Sequence, residues 1–106
     1  MQITEHNDVT RYSIKEIRRR VIPLAKKHGV HRMTLFGSYA RGEADAASDI
    51  DLFIERGTLR GLIQYFALVH DLEDALKCHV DVVTSGIADK DFLSAIKREE
   101  ILLYEE

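Results

Sequence analysis

The chain has 106 residues, 45 % of them apolar and 31 % charged, with a formal net charge of −3. These values exclude wholesale disorder, and the length suits a single domain over residues 1–106. No apolar run approaches the ~20 residues a membrane span needs. The polar Met1–Thr10 segment lacks a secretory core, and the lone cysteine, Cys78, has no internal disulfide partner. A reducing, cytoplasmic location is therefore expected, and the net negative charge gives no general reason to expect direct nucleic-acid binding.

Charge is unevenly spread along the chain. Arg11 to Arg32 holds eight basic residues against Glu16, and Glu43 to Glu55 holds five acidic residues and no basic one. Glu99, Glu100, Glu105 and Glu106 crowd the end. The basic stretch fits either a solvated helix face or a surface for an anionic partner.

In chain order, Ser13 with Glu16 three residues later spells a capping box. Ile14, Ile17, Val21, Leu24 and Ala25 then recur at helical spacing, and Gly29 after Lys26, Lys27 and His28 predicts the stop. His31 to Phe36 predicts a strand, and Gly37 to Ser48 a loop with one helical turn near Tyr39 to Gly42. Asp49 to Glu55 predicts a strand with Ile50, Leu52 and Ile54 on one face and Asp49, Asp51 and Phe53 on the other. A helix opens at Gly57–Thr58, with Leu59, Leu62, Ile63, Phe66, Val69 and Leu76 along its apolar face. It is long enough to cross over between two parallel strands. His79 to Thr84 predicts a third strand, and Asp89 caps a last helix through Phe92, Leu93 and Ile96. Ile101 to Tyr104 fits either an extension of that helix or a short edge strand. The order α-β-α-β-α-β-α predicts an α/β (α+β) domain in which helices flank a small mixed β-sheet.

The unusual feature is Asp49-Ile50-Asp51. Residues two apart on a strand share a face, so two carboxylates project side by side, about 7 Å apart at their Cα atoms. Like charges at that range repel unless a cation intervenes. Paired Asp on an otherwise apolar strand suits a divalent metal that favours hard oxygen ligands, such as Mg2+. Asp81 occupies the matching part of its own strand, so parallel neighbours would bring three carboxylates to one end of the sheet. Gly37-Ser38 directly follows a strand. Glycine permits a tight turn, the Ser38 hydroxyl and the amides of a following turn suit a phosphate, and Arg41 could clamp a phosphate oxygen.

A strand, Gly37-Ser38, ten residues, Asp49-x-Asp51, then Asp81 on a third strand is far more specific than any one of these parts. The segment Leu35-Phe36-Gly37-Ser38-Tyr39-Ala40-Arg41-Gly42, continued by Ser48-Asp49-Ile50-Asp51-Leu52, closely resembles the signature of the DNA polymerase β-type nucleotidyltransferase superfamily. More narrowly, it resembles the minimal nucleotidyltransferases paired with a HEPN-domain partner, and the resemblance covers nearly the whole chain. It implies the polymerase β-like fold, ATP as substrate and two Mg2+ ions held by Asp49 and Asp51. Asp81 would complete the metal site near the acceptor or take its proton. Ser38 and nearby amides would hold the β- and γ-phosphates during in-line attack on the α-phosphorus. The resemblance further implies an antitoxin that transfers AMP to a tyrosine of a HEPN toxin. Larger members add a helical domain that recognises the acceptor; here that platform would come from a partner chain or a homodimer.

Two rival readings remain open at this level. One is a non-catalytic subunit that neutralises its partner by contact; the other is a nucleotidyltransferase acting on a small molecule or RNA. His6, His28, His31 and His70 lack zinc-like spacing with cysteine and read as structural or surface residues. His79, two residues from Asp81 on the same strand face, could reach the site. Tyr39 fits either packing of the phosphate loop or a contact to nucleotide, while Phe66 and Tyr65 read as core and rim.

Overall fold

The computed structural model describes residues 12–45, 47–86 and 89–106. Met1–Thr10, with His6, and Arg11 lie outside the described residues. The first helix, α1, spans Ile14–Lys27. Ser13 Oγ accepts the Glu16 amide at 3.1 Å, which is half of the expected capping box. The Glu16 carboxylate turns to Arg19 and Arg20 instead, and these partners hold its carboxyl down at about 2. Ile17, Val21 and Ala25 form the buried stripe.

The basic residues of α1 are largely spent inside the molecule. Arg18 donates to the Leu102 carbonyl at 2.8 Å. Arg20 donates to the Ala75 carbonyl at 2.7 Å and lies over the Tyr12 ring, 4.7 Å from its centroid. Lys27 and His28 both close on Asp71, at 3.0 and 2.8 Å. Arg20→Glu would face Glu16 and leave the Ala75 carbonyl unpaired. The expected result is a loss of about 1–3 kcal/mol in a urea melt, with nucleotide binding by the folded protein unchanged.

Strands β1 (Arg32–Phe36), β2 (Ile50–Glu55), β3 (Val80–Thr84) and β4 (Ile101–Glu105) form one sheet in the order β3-β2-β1-β4. β2 and β3 run parallel, while β1 is antiparallel to both β2 and β4. The remaining helices are α2 (Gly37–Arg41), α3 (Gly61–Leu76) and α4 (Lys90–Glu99). Asp89 caps α4 by accepting the Phe92 amide at 2.8 Å. Ile101–Tyr104 is an edge strand and not a continuation of α4, because the chain turns extended at Glu100 and pairs with β1.

Strand alternation sorts the two faces of the sheet. Ile50, Leu52 and Ile54 enter the main core beside Ile17, Val21 and Leu72. Phe53 joins Phe36 and Ile96 in a smaller cluster under α4, so Asp51, two residues from Phe53, also faces the α4 side.

α3 departs from the sequence expectation in two ways. It begins at Gly61 rather than Gly57–Thr58, because Thr58 is held outside the helix, its amide donating to the Gly29 carbonyl at 3.0 Å. Its buried stripe is Leu68, Leu72 and Leu76, whereas Leu62, Ile63 and Phe66 are 71 %, 87 % and 59 % exposed. Two apolar stripes share this helix, and packing against α1 and the sheet selects the one at i, i+4, i+8. Leu72→Ala is accordingly expected to cost about 2–5 kcal/mol. Ile63→Ser should stay within about 0.5 kcal/mol, and urea melts of the two variants check the assignment.

Candidate active site

The parallel pairing of β2 with β3 places Asp51 directly in register with Asp81. The side chains of Asp49, His79 and Asp81 each offer a ligand atom, and these atoms all lie within 4.8 Å of one another. Asp51 adjoins this group from its half-buried side. Burial, then the neighbouring Asp81 and Asp49, push its carboxyl up to about 6, with Arg41 acting weakly against the rise. Crowded carboxylates in a partly desolvated site behave in this way, and Asp51 lies beside the Asp49, His79 and Asp81 group as the register partner of Asp81.

His79 meets the cluster as well. Its Nε2 lies 2.9 Å from Asp81 Oδ1 and its Nδ1 lies 3.1 Å from Glu73 Oε2. With a carboxylate on each ring nitrogen, the imidazole is biased toward its charged form, Asp81 being the main cause. His79 thus lies hydrogen-bonded among the acids, between Glu73 and Asp81. The carboxylate oxygens of Asp49, Asp51 and Asp81 fit a hard divalent cation, whereas an imidazole ligand suits softer ions.

The other side of the site is the turn after β1. Gly37 has φ +76°, and a Cβ built there would fall 2.1 Å from Asp51 Oδ2. Only glycine lets this turn lie against the Asp51 carboxylate. Ser38 follows within α2, and Gly42 caps that short helix. The Gly37 amide donates to Glu99 Oε2 at 2.7 Å. Arg41 donates through Nε to Glu43 at 2.9 Å and reaches both Glu99 oxygens at 3.3 and 3.4 Å. Two groups that the sequence offered to a phosphate thus rest on an acid from α4. Glu99 was not singled out by the sequence, where its only signal was the acidic run near the end of the chain.

A cleft lined by Phe36, Asp51, Tyr65, Phe66, Asp81 and Phe92 opens onto the acids. Tyr65 is half-buried and donates its hydroxyl to the Val82 carbonyl at 2.9 Å. Phe66 is exposed rather than core, and Tyr39 is 7 % exposed within the main core.

A mixed sheet with paired acids, one just before and one on its second strand, beside a Gly-Ser turn, and a third acid in register on the parallel neighbour, defines a polymerase β-like nucleotidyltransferase fold. The family described as "Polymerase beta, Nucleotidyltransferase" matches residues 19–106, and the chain belongs to it. MJ0435 of Methanocaldococcus jannaschii, named provisionally as a protein adenylyltransferase, is 46 % identical over 72 residues, covering 68 % of this chain and 77 % of that protein. Protein adenylyltransferase MntA of Thermococcus cleftensis is 31 % identical over 78 residues, covering 74 % of this chain and 79 % of MntA. Among solved structures, a minimal nucleotidyltransferase superimposes with a TM-score of 0.75 at 32 % identity, covering 86 % of this chain and 96 % of the other. An MNT antitoxin in complex with tri-AMPylated Shewanella oneidensis HEPN toxin shares the fold, with a TM-score of 0.68 at 21 % identity over 88 % of this chain and 73 % of that one. Among the described residues, no helix is long and apolar enough to cross a membrane.

Proposed function

We propose that this chain transfers AMP from ATP to a hydroxyl, a tyrosine in the first instance, of a HEPN-type toxin, and neutralises the toxin by that modification. The observation that carries the reading is the meeting of Asp49, Asp51 and Asp81 beside the Gly37–Ser38 turn. The names of the archaeal relatives support the adenylyl group, and the antitoxin complex supports the acceptor.

In this reading Asp49, Asp51 and Asp81 would hold two Mg2+ ions, which would supply charge neutralisation for the phosphates and for the acceptor hydroxyl as it loses its proton. The turn opened by Gly37, whose own amide is held by Glu99, presents Ser38 and Arg41 to the β- and γ-phosphates and aims the α-phosphorus at the acceptor. The acceptor oxygen forms a bond to the α-phosphorus as the bond to the β-phosphate bridging oxygen breaks. Pyrophosphate leaves with that electron pair, and Asp81, the more exposed of the two in-register acids, takes the hydroxyl proton. The aromatic cleft between Phe66 and Phe92 is the path by which the acceptor side chain reaches Asp81.

The test incubates the chain with a HEPN-type toxin, Mg2+ and ATP labelled at the α-phosphate. Label on a toxin tyrosine, dependent on Mg2+, is the expected result. Neutralisation of the toxin without label would favour an antitoxin that acts by contact, and label on RNA or a small molecule in place of the toxin would move the acceptor.

A further inference from the structure

We infer that Glu99 is a positioning residue for the transfer, a strut from α4 that sets the Gly37 turn and Arg41 against the acids. The inference rests on the functional reading above for what the turn receives, and on geometry for what Glu99 does. β1 ends at Phe36, and Gly37, with a left-handed φ, opens α2. The partner for the Gly37 amide is Glu99 Oε2 at 2.7 Å, a distance typical of a charge-assisted bond. The same carboxylate meets the Arg41 guanidinium at 3.3 and 3.4 Å. One side chain, 28 % exposed, therefore ties both ends of α2 to the last residue of α4.

The consequence passes to the acids by contact. The Gly37 Cα lies so close to Asp51 that a Cβ added there would sit 2.1 Å from Oδ2. A shift of the turn therefore moves the wall against which the Asp51 carboxylate rests. Arg41 is the second group that Glu99 holds. Without Glu99 it keeps only Glu43, itself 64 % exposed, as an anchor. Loss of the strut frees the turn and the arginine together, and both are groups assigned to the triphosphate. Misplacement by about 1 Å is enough to cost about a hundredfold in rate.

Glu100, the next residue, supplies the control. Its carboxylate accepts from Thr34 Oγ1 at 2.9 Å and pairs with Arg32 at 3.3 Å, and it is 13 % exposed. It ties the same end of α4 to the middle of β1, away from the turn.

The experiment compares Glu99→Ala, Glu99→Gln and Glu100→Gln with the wild type in thermal melts, transfer kinetics and amide hydrogen exchange at Gly37. Glu99→Ala should raise KM for Mg-ATP by about tenfold or more, with a smaller fall in kcat. It should also abolish protection of the Gly37 amide. Glu99→Gln keeps an oxygen for that amide but loses the charge facing Arg41, so protection should persist while KM rises part of the way. Glu100→Gln should lower Tm and leave KM unchanged. A folded Glu99→Ala with KM within twofold of wild type would overturn the inference, as would a KM rise of the same size in Glu100→Gln. If the wild type takes no nucleotide, the functional reading fails; Gly37 exchange in the same variants then still decides whether Glu99 holds the turn.

Discussion

Asp49→Asn/Asp51→Asn should lose nucleotidyl transfer by at least about a thousandfold and yet melt no lower, or higher, than the wild type in chelator. The two effects have one cause. In the metal-free protein Asp49, Asp51 and Asp81 crowd one another, and Asp51 is half-buried. Neutral amides of the same shape remove that repulsion. Under turnover conditions the same change removes the anionic oxygens that would hold a divalent cation. The pH dependence gives the sign independently. The Asp51 carboxyl is raised from 3.8 to about 6, so the folded state holds its proton more tightly than the unfolded chain does. That contribution is fully present below about pH 4 and is lost as pH rises through about 6. Allowing for partial exposure, the loss is on the order of 1–2 kcal/mol. The stability gap between variant and wild type in chelator should therefore open between about pH 4 and pH 7. It should close again on addition of Mg2+, which binds the wild type alone. Full transfer by the double variant would place the metal site elsewhere.

Gly37→Ala should fail in the opposite direction, losing stability and transfer together. Its backbone sits at φ +76°, where an L side chain costs about 1–2 kcal/mol. The new methyl would meet Asp51 Oδ2 at 2.1 Å and Cγ at 3.0 Å. The two backbones cannot part, since Phe36 and Asp51 are paired across β1 and β2 and the Gly37 amide is tied to Glu99, so the Asp51 carboxylate must leave its place. A total of about 2–4 kcal/mol is expected in a urea melt, with transfer lowered more than about a hundredfold. Adding Asp51→Ser shortens the obstructing side chain and should recover part of the lost stability, though none of the transfer. A coupling energy between the two positions near zero would show that the contact is not what makes glycine necessary there.

Local chemistry carried much of the fold. Ser13 and Asp89 cap helices where their side chains suggested, and the alternation in Asp49–Glu55 separates the acids from Ile50, Leu52 and Ile54. Those signals survive because each depends on neighbours within about four residues. The expected apolar face of α3 holds at Leu59 and Leu76 and fails at Leu62, Ile63 and Phe66 for the complementary reason. Leu62, Ile63 and Phe66 are as apolar as Leu68, Leu72 and Leu76, and only the approach of α1 and the sheet ranks one stripe above the other. The basic stretch in α1 was equally ambiguous until the Leu102 and Ala75 carbonyls were brought within reach of Arg18 and Arg20.

The same division runs through the site. That Asp49 and Asp51 share a face and that glycine follows β1 was legible in the residue order, because strand period and backbone freedom are local properties. Tertiary structure alone decided that Asp81 comes into register with Asp51, that His79 lies between Glu73 and Asp81, and that Glu99 reaches across 62 residues of chain to the Gly37 amide. Those contacts depend on a parallel crossover through α3 and on α4 returning to the open face of the sheet. Charge at a given position in sequence does not reveal its partner when the partner arrives from a distant element.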